Sequence, residues 1–125
     1  MIHLDSHVVV WLFSHKRSRI PKSIQRRITR ERPAISPMVE VELAFLFEVG
    51  RVSGPPGEVL DDLRANLGLA VSDAPFAAVS RAAVGLTWTR DPFDRLIAAQ
   101  SIVDRAPLVT ADETILERLP TAVWG

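Results

Sequence analysis

The sequence predicts an α/β fold built on a parallel sheet, and three observations carry that prediction. Short apolar segments alternate with longer stretches of helical periodicity along the chain, the order that parallel pairing with right-handed crossovers requires. The short segments, such as Leu108-Val109, are plain apolar runs, as strands buried on both faces are. Acids follow two of them, Asp5 after Met1-Ile2-His3-Leu4 and Asp112 after Pro107-Leu108-Val109-Thr110. In open α/β sheets, functional groups gather beyond the carboxyl ends of strands.

Taken in order, a strand is expected over 1–5, then a helix over 6–14 that is apolar almost all round and so buried. A basic helix spans 22–31, and Pro33-Ala34-Ile35 is a short strand. Ser36 is the expected N-cap of a helix over 37–50, with Pro37 at its first position. Gly54-Pro55-Pro56-Gly57 is the strongest turn signal and precedes a helix over 56–67. A strand at Leu69-Ala70-Val71 leads to a helix over 75–86, and Asp91-Pro92 opens a helix over 92–105. Strand 107–110, a short helix over 112–118 and a last strand Ala122-Val123-Trp124 complete the order.

At 125 residues, without repeats or a dividing linker, the chain suits one domain, 1–125. A hydrophobic fraction of 47% supports a core and excludes a disordered chain. The absence of cysteine excludes a disulfide framework and thiolate-ligated zinc. No apolar run approaches the roughly 20 residues of a membrane-spanning helix. The first residues lack the basic region of a signal peptide, so a soluble cytoplasmic protein, without a membrane partner, is expected. The formal net charge is zero but unevenly spread. Lys16, Arg17, Arg19, Lys22, Arg26, Arg27, Arg30 and Arg32 face only Glu31 between positions 16 and 32, a local charge of +7 that leaves −7 elsewhere. Such asymmetry suits a polyanion near an acidic site, although a solvated helix face explains the basic segment equally well.

Four acids stand out as a metal-ligand set: Asp5, Glu42, Asp94 and Asp112. Each lies at the end of an apolar segment or on the apolar side of an expected helix. An unpaired carboxylate is costly there, and four that converge repel one another unless a cation joins them. Each also has a plainer reading. Asp5 or Ser6 caps the first helix, and Asp112 caps the short helix that follows it. Glu42 has Met38, Val39, Phe45 and Leu46 as its helical neighbours and so shares the apolar face; an ion pair with an arginine is its structural alternative. Asp91 before Pro92 is the expected N-cap, and Asp94 then occupies a capping-box position. The stripe Ile97, Ala98, Ile102 turns Asp94 inward, which favours Asp91 as cap and Asp94 as ligand and leaves Asp91 an outer-sphere role. Ser6, Ser36 and Thr110 supply hydroxyls beside these acids. His3 reads as a satisfied core residue, and no two histidines have a zinc-site spacing. Oxygen-only ligands favour Mg²⁺ or Mn²⁺.

Four segments together resemble the PIN-domain nucleases, specifically the VapC toxins of VapBC toxin–antitoxin modules. They are Ile2-His3-Leu4-Asp5-Ser6-His7-Val8; Ser36 followed by Glu42-Leu43; Arg90-Asp91-Pro92-Phe93-Asp94-Arg95-Leu96-Ile97-Ala98-Ala99-Gln100; and Leu108-Val109-Thr110-Ala111-Asp112. Their order and spacing span nearly the whole chain. The family's acidic quartet falls on Asp5, Glu42, Asp94 and Asp112, and its usual hydroxyl on Thr110. Ser6 stands where a Thr is usual, Val41 where an aromatic often precedes the Glu, and Thr89 where His often precedes Arg-Asp-Pro-Phe-Asp. No ligand is lost.

The resemblance implies a three-layer α/β/α sandwich with a central parallel sheet. It also implies Mg²⁺-dependent endoribonuclease activity, a homodimer, and inhibition by a VapB-type antitoxin. Its RNA substrate would be held by the basic segment, Arg26, Arg27 and Arg30 in particular, with Arg95 or Arg90 nearer the site. Two readings compete. A receiver domain, also a parallel α/β unit with a Mg²⁺-binding acidic pocket, needs a lysine near the last strand, and both lysines, Lys16 and Lys22, lie near the N-terminus. The nearer rival is a non-catalytic PIN-like module that grips RNA or a protein.

Overall fold

The computed structural model describes residues 1–125. Five parallel strands form one sheet: β1 (Ile2–Leu4), β2 (Pro33–Ile35), β3 (Ala70–Val71), β4 (Leu108–Val109) and β5 (Ala122–Val123), in the spatial order β3-β2-β1-β4-β5. Seven α-helices flank it: α1 (Ser6–Phe13), α2 (Lys22–Arg30), α3 (Pro37–Glu48), α4 (Pro56–Leu67), α5 (Phe76–Val84), α6 (Pro92–Val103) and α7 (Glu113–Arg118). The result is a three-layer α/β/α sandwich. Its core joins Ile2 and Leu4 of β1 to Val8, Val9 and Leu12 of α1, Val39 and Leu43 of α3, and Ile97 and Ala98 of α6.

The strand order carries the functional geography. From central β1 the chain builds outward to β2 and β3, then returns to the other side of β1 for β4 and β5. The crevice between the carboxyl ends of β1 and β4 is therefore the topological switch point, where open α/β sheets place their sites. His3 pairs with Leu108 and Leu4 with Val109, so Asp5 and Thr110 emerge side by side at that crevice.

Helices α1 and α3, which follow neighbouring strands, end alike. In each, the last turn is closed by a left-handed residue, His15 (φ 57°) after α1 and Gly50 (φ 76°) after α3. The next amide then reaches back to the third-last helical carbonyl, Lys16 N–H to Trp11 O at 2.8 Å and Arg51 N–H to Leu46 O at 2.8 Å. This is the Schellman arrangement. It delivers a basic residue just past the C-terminus of each helix, where a cation is also favoured by the helix dipole.

Three expectations are corrected. Phe45 is 51% exposed, because the buried stripe of α3 runs through Val39 and Leu43. Ile102 is exposed, and Ser101 takes the buried place, its hydroxyl donating to Ala98 O at 2.7 Å. His3 is fully buried but only half satisfied: Nε2 pairs with Asp104 Oδ2 at 2.7 Å, while Nδ1 has no partner. A short 3-10 turn at Arg17–Arg19 joins the expected elements. No helix is long and apolar enough to cross a membrane.

Candidate active site

Asp5 is 5% exposed and does two things at once. Its Oδ1 accepts the Ser6 N–H at 2.8 Å and so caps α1. Its Oδ2 accepts the Thr110 hydroxyl at 2.8 Å, tying β1 to β4 across the switch crevice. Thr110 is fully buried, and its Oγ1 also accepts the Asp112 N–H at 3.0 Å. One hydroxyl thus sets the relative position of two acids. Asp112 in turn caps α7 through Oδ1 and the Ile115 N–H at 3.0 Å. Capping leaves the second carboxylate oxygen of Asp112 without a hydrogen bond, whereas both oxygens of Asp5 are engaged, the second by Thr110.

Glu42 projects from the middle of α3 toward the start of α1, where its Oε1 accepts the Ser6 hydroxyl. Asp91 caps α6, its Oδ1 accepting from Phe93 N–H at 2.8 Å and Asp94 N–H at 3.4 Å. Asp94 is half-buried on the first turn, and no hydrogen bond holds its carboxylate. These five acids, from four parts of the chain, line a single cavity of about 630 Å³ together with Ser6, His7, Trp11, Lys16, Arg19 and Arg51.

The electrostatics follow from this crowding. Burial pushes the Asp94 carboxyl up to about 7, and the charges of Asp91, Asp5, Asp112 and Glu42 push in the same direction. Glu42 is raised as well, by burial first, against the Ser6 hydrogen bond, with Asp5 and Asp91 adding to the rise. No Lys or Arg forms an ion pair with any of the five. His7 Nδ1 lies 3.6 Å from Asp5 Oδ2, and His7 Nε2 accepts the Ala111 N–H at 2.8 Å. The histidine is a clamp on the β4–α7 turn, a role that its sequence position did not signal.

A divalent cation fits this site by the chemistry of its donors. They are carboxylate and hydroxyl oxygens, hard ligands of the Mg²⁺ and Mn²⁺ type. An elevated Asp94 marks a place where added positive charge is favourable. As placed, no three of these side chains converge closely enough to hold an ion directly. Asp5 and Asp112 are each engaged by a cap, and Asp5 also by the Thr110 hydroxyl. Mg²⁺ usually keeps several waters, so full convergence is not required.

Of the four arginines expected to hold RNA, Arg26, Arg27, Arg30 and Arg95, none lines this cavity. Arg27 is held by Glu31, Nε to Oε2 at 2.6 Å. Arg95 Nε donates to Thr89 O at 2.7 Å, bracing the turn before α6. Arg26 and Arg30 line a separate open depression of about 530 Å³ with Arg17, Lys22, Gln25 and Thr29. The cations in the acidic cavity are Lys16, Arg19 and Arg51. Arg51 was not distinguishable in the sequence, because only the Gly50 turn brings it back.

The family model for the PIN domain matches residues 2–121. Among solved structures, the fold is similar to a chain of the VapBC2 complex from Rickettsia felis bound to a DNA fragment from its promoter. That match has a TM-score of 0.69 at 22% identity and covers 98% of this chain and 96% of that one. It is similar also to a chain of VapBC-1 from nontypeable Haemophilus influenzae, with a TM-score of 0.61 at 18% identity, covering 100% and 97% respectively. No curated protein matches significantly by sequence.

Proposed function

The chain belongs to the PIN-domain family, and from that premise we propose that it is a Mg²⁺-dependent endoribonuclease, the VapC-type toxin of a type II toxin–antitoxin pair acting in the cytoplasm. One observation carries the reading: Asp5, Glu42, Asp94 and Asp112 come from different elements to one cavity at the switch crevice, and no basic side chain neutralises them. Such an arrangement destabilises the fold unless it is used.

In this reading the four carboxylates hold the ion, or two ions, with Mn²⁺ as a substitute for Mg²⁺. When bound, the cation supplies charge for the oxyanions that develop at phosphorus and makes a water acidic enough to attack at neutral pH. Thr110 fixes Asp5 and the Asp112 backbone, Ser6 fixes Glu42, and Asp91 holds the first turn of α6 so that Asp94 faces the cavity. Hydrolysis by water leaves 5′-phosphate and 3′-hydroxyl ends. Arg26 and Arg30, in their depression beside α2, hold phosphates further along the strand; Arg27 and Arg95, engaged by Glu31 and Thr89, contribute less. A VapB-type antitoxin is the proposed inhibitor, with a basic side chain entering the acidic cavity. Its apolar helix would occupy the groove of about 190 Å³ edged by Met38, Val41, Phe76 and Leu96. A homodimer is the proposed assembly.

The rival is a non-catalytic module that binds RNA or protein, favoured by the absence of three converged ligands. Incubating the purified chain with single-stranded RNA, with Mg²⁺ and with EDTA, decides between them. Cleavage that needs the ion and is lost in Asp94→Asn supports the nuclease. Binding without cleavage at any Mg²⁺ or Mn²⁺ concentration supports the module.

A further inference from the structure

The cavity has a second end. Along α1 its lining runs from Asp5 and Ser6 through Val10 and Trp11 to Ser14 and Lys16. Along α3 it runs from Glu42 through Leu46 to Arg51. Both helices therefore trace the same sequence of chemistries, acidic, then apolar, then basic, with the step from acid to apolar residue about 9 Å along α1 (Asp5 to Trp11) and about 6 Å along α3 (Glu42 to Leu46) at 1.5 Å per residue. The basic end is constructed by the two Schellman turns, which fold Lys16 and Arg51 back beside Trp11 and Leu46.

Trp11 is half-buried. One side of it belongs to an aromatic cluster, with its ring centroid 5.1 Å from that of His7 and 5.9 Å from that of Trp124. The Arg19 guanidinium lies over the ring at 5.8 Å from the centroid, near the outer limit of such a contact. Arg19 and Trp11 both line the cavity. A flat π surface is thus presented to the cavity under a loosely placed cation, with two more cations nearby.

We propose that this end of the cavity is a nucleotide subsite, in which one unpaired base stacks on Trp11 while Lys16, Arg19 and Arg51 hold the adjoining phosphate. The inference rests on the nuclease reading above and adds where one unpaired nucleotide of the RNA lies, along the α1–α3 groove beside Trp11. A base offers Trp11 a better-matched surface than the guanidinium does, and Arg19 is then free to turn to the phosphate. A base-paired nucleotide has no face to offer, because its neighbours in the helix cover both. The acidic end, opposite, receives the scissile phosphate only with a cation in place.

The test measures binding of a short fluorescently labelled single-stranded oligoribonucleotide by anisotropy, without divalent ions so that the strand stays intact. Trp11→Leu keeps an apolar side chain and removes the π surface; it is expected to weaken binding about 10-fold, while Trp11→Phe restores most of the loss. An oligonucleotide series with one abasic position moved along the strand should contain one member that binds wild type as weakly as the intact strand binds Trp11→Leu. That member should lose nothing further on the variant. Arg51→Ala should lower the salt slope by about 0.7, the contribution of one phosphate on a single strand. Thermal melting of each variant identifies any that fail to fold, and Trp11→Phe carries the comparison if Trp11→Leu does. If wild type and Trp11→Leu bind alike, or wild type binds duplex as well as single strand, the subsite is overturned. When Mg²⁺-dependent cleavage persists in that case, the nuclease reading stands without it. If wild type neither binds nor cleaves RNA, both fall.

Discussion

Strand β1 carries two polar clusters built on opposite principles. In its middle, His3 hydrogen-bonds Asp104 Oδ2 at 2.7 Å, and the same oxygen accepts the Ser72 hydroxyl at 2.6 Å. Ser72 accepts from Gln100 Nε2 at 2.9 Å, and Gln100 Oε1 accepts from Ser36 at 3.4 Å, where α3 begins. The one acid in this cluster is surrounded by donors. Just past the end of β1, Asp5 opens a cluster of five acids whose partners are hydroxyls and backbone amides, with the available cations held at the far end of the cavity by the lengths of α1 and α3. The first cluster pairs its acid internally, leaving only His3 Nδ1 without a partner, and stitches β1, β3, α3 and α6 together. The second leaves charge uncompensated, which a fold tolerates only where something else is to bind.

The sharpest way to break this contrast is through activity. Asp5→Asn, Glu42→Gln, Asp94→Asn and Asp112→Asn are each expected to lower RNA cleavage by more than the roughly 10- to 100-fold typical of an outer-shell partner. Asp91→Asn should fall within that range or below it, since Asn preserves the cap. Initial rates at saturating Mg²⁺ check this. An inactive Asp91→Asn beside an active Asp94→Asn would exchange the two assignments.

The His3–Asp104 cluster should respond in stability. Asp104→Ala leaves His3 buried with neither ring nitrogen paired, a loss of about 1–3 kcal/mol in denaturant unfolding. His3→Leu combined with Asp104→Ala should lose less than Asp104→Ala alone, because an apolar replacement leaves less unpaired. Neither change should alter the response to Mg²⁺. If Asp104→Ala removes that response, the two clusters are one system and the contrast fails.

The open cluster should respond to ions and pH with the reverse sign. The Asp94 carboxyl moves from 3.8 in an open chain to about 7 in the fold. At low pH, native and unfolded chains are both protonated. As pH rises between those values the unfolded chain ionises first, so the native state loses relative stability across that window and stays at the lower level above it. Glu42, also raised, adds to the same trend. The metal-free melting temperature should therefore fall from about pH 4 to pH 7 by this contribution. Asp94→Asn should flatten the fall and raise the metal-free melting temperature at pH 7.5, while Mg²⁺ should raise that of wild type more than that of the variant. A wild-type melting temperature indifferent to millimolar Mg²⁺ would count against an ion site.

How much of this was legible in the sequence depends on the range of the physics involved. Caps and prolines are local signals, so Ser36-Pro37 and Asp91-Pro92 fix the starts of α3 and α6 correctly. Acids at strand ends are nearly as local, and Asp5 and Asp112 fall where the apolar runs before them imply. Helix facing is less local. Glu42 and Phe45 are helical neighbours, yet only the acid turns inward, because the rotation of α3 is set by Val39 and Leu43 packing on the sheet. The pairings that join distant segments were not legible: Thr110 with Asp5, His7 with Ala111, and His3 with Asp104 depend on strand order. Arg51 is the clearest case. A run of arginines at 16–32 draws attention by composition, but a single one after Gly50 becomes significant only when the turn folds it into the cavity.

The smallest expected effect separates arginines within that run. Arg26 and Arg30 line the open depression beside α2 and are engaged by no acid, whereas the Arg27 guanidinium is held by Glu31 four residues on. A phosphate approaching Arg27 meets the glutamate's charge with it, and it must break a hydrogen bond of 2.6 Å to be bound. Arg26→Ala with Arg30→Ala is thus expected to flatten the salt dependence of RNA binding by about 0.7 for each phosphate released. Arg27→Ala alone should change the slope by less, and its cost to stability should be slight, as for most exposed ion pairs. Both measurements are titrations at several salt concentrations on variants whose metal response is intact. Equal slopes for Arg27→Ala and Arg26→Ala would mean that RNA displaces Glu31, and the track along α2 would then be continuous. An unchanged slope in the Arg26→Ala, Arg30→Ala variant would place the bound phosphates wholly at the Lys16–Arg51 end of the cavity, leaving the rest of the basic segment as a solvated face or an antitoxin contact.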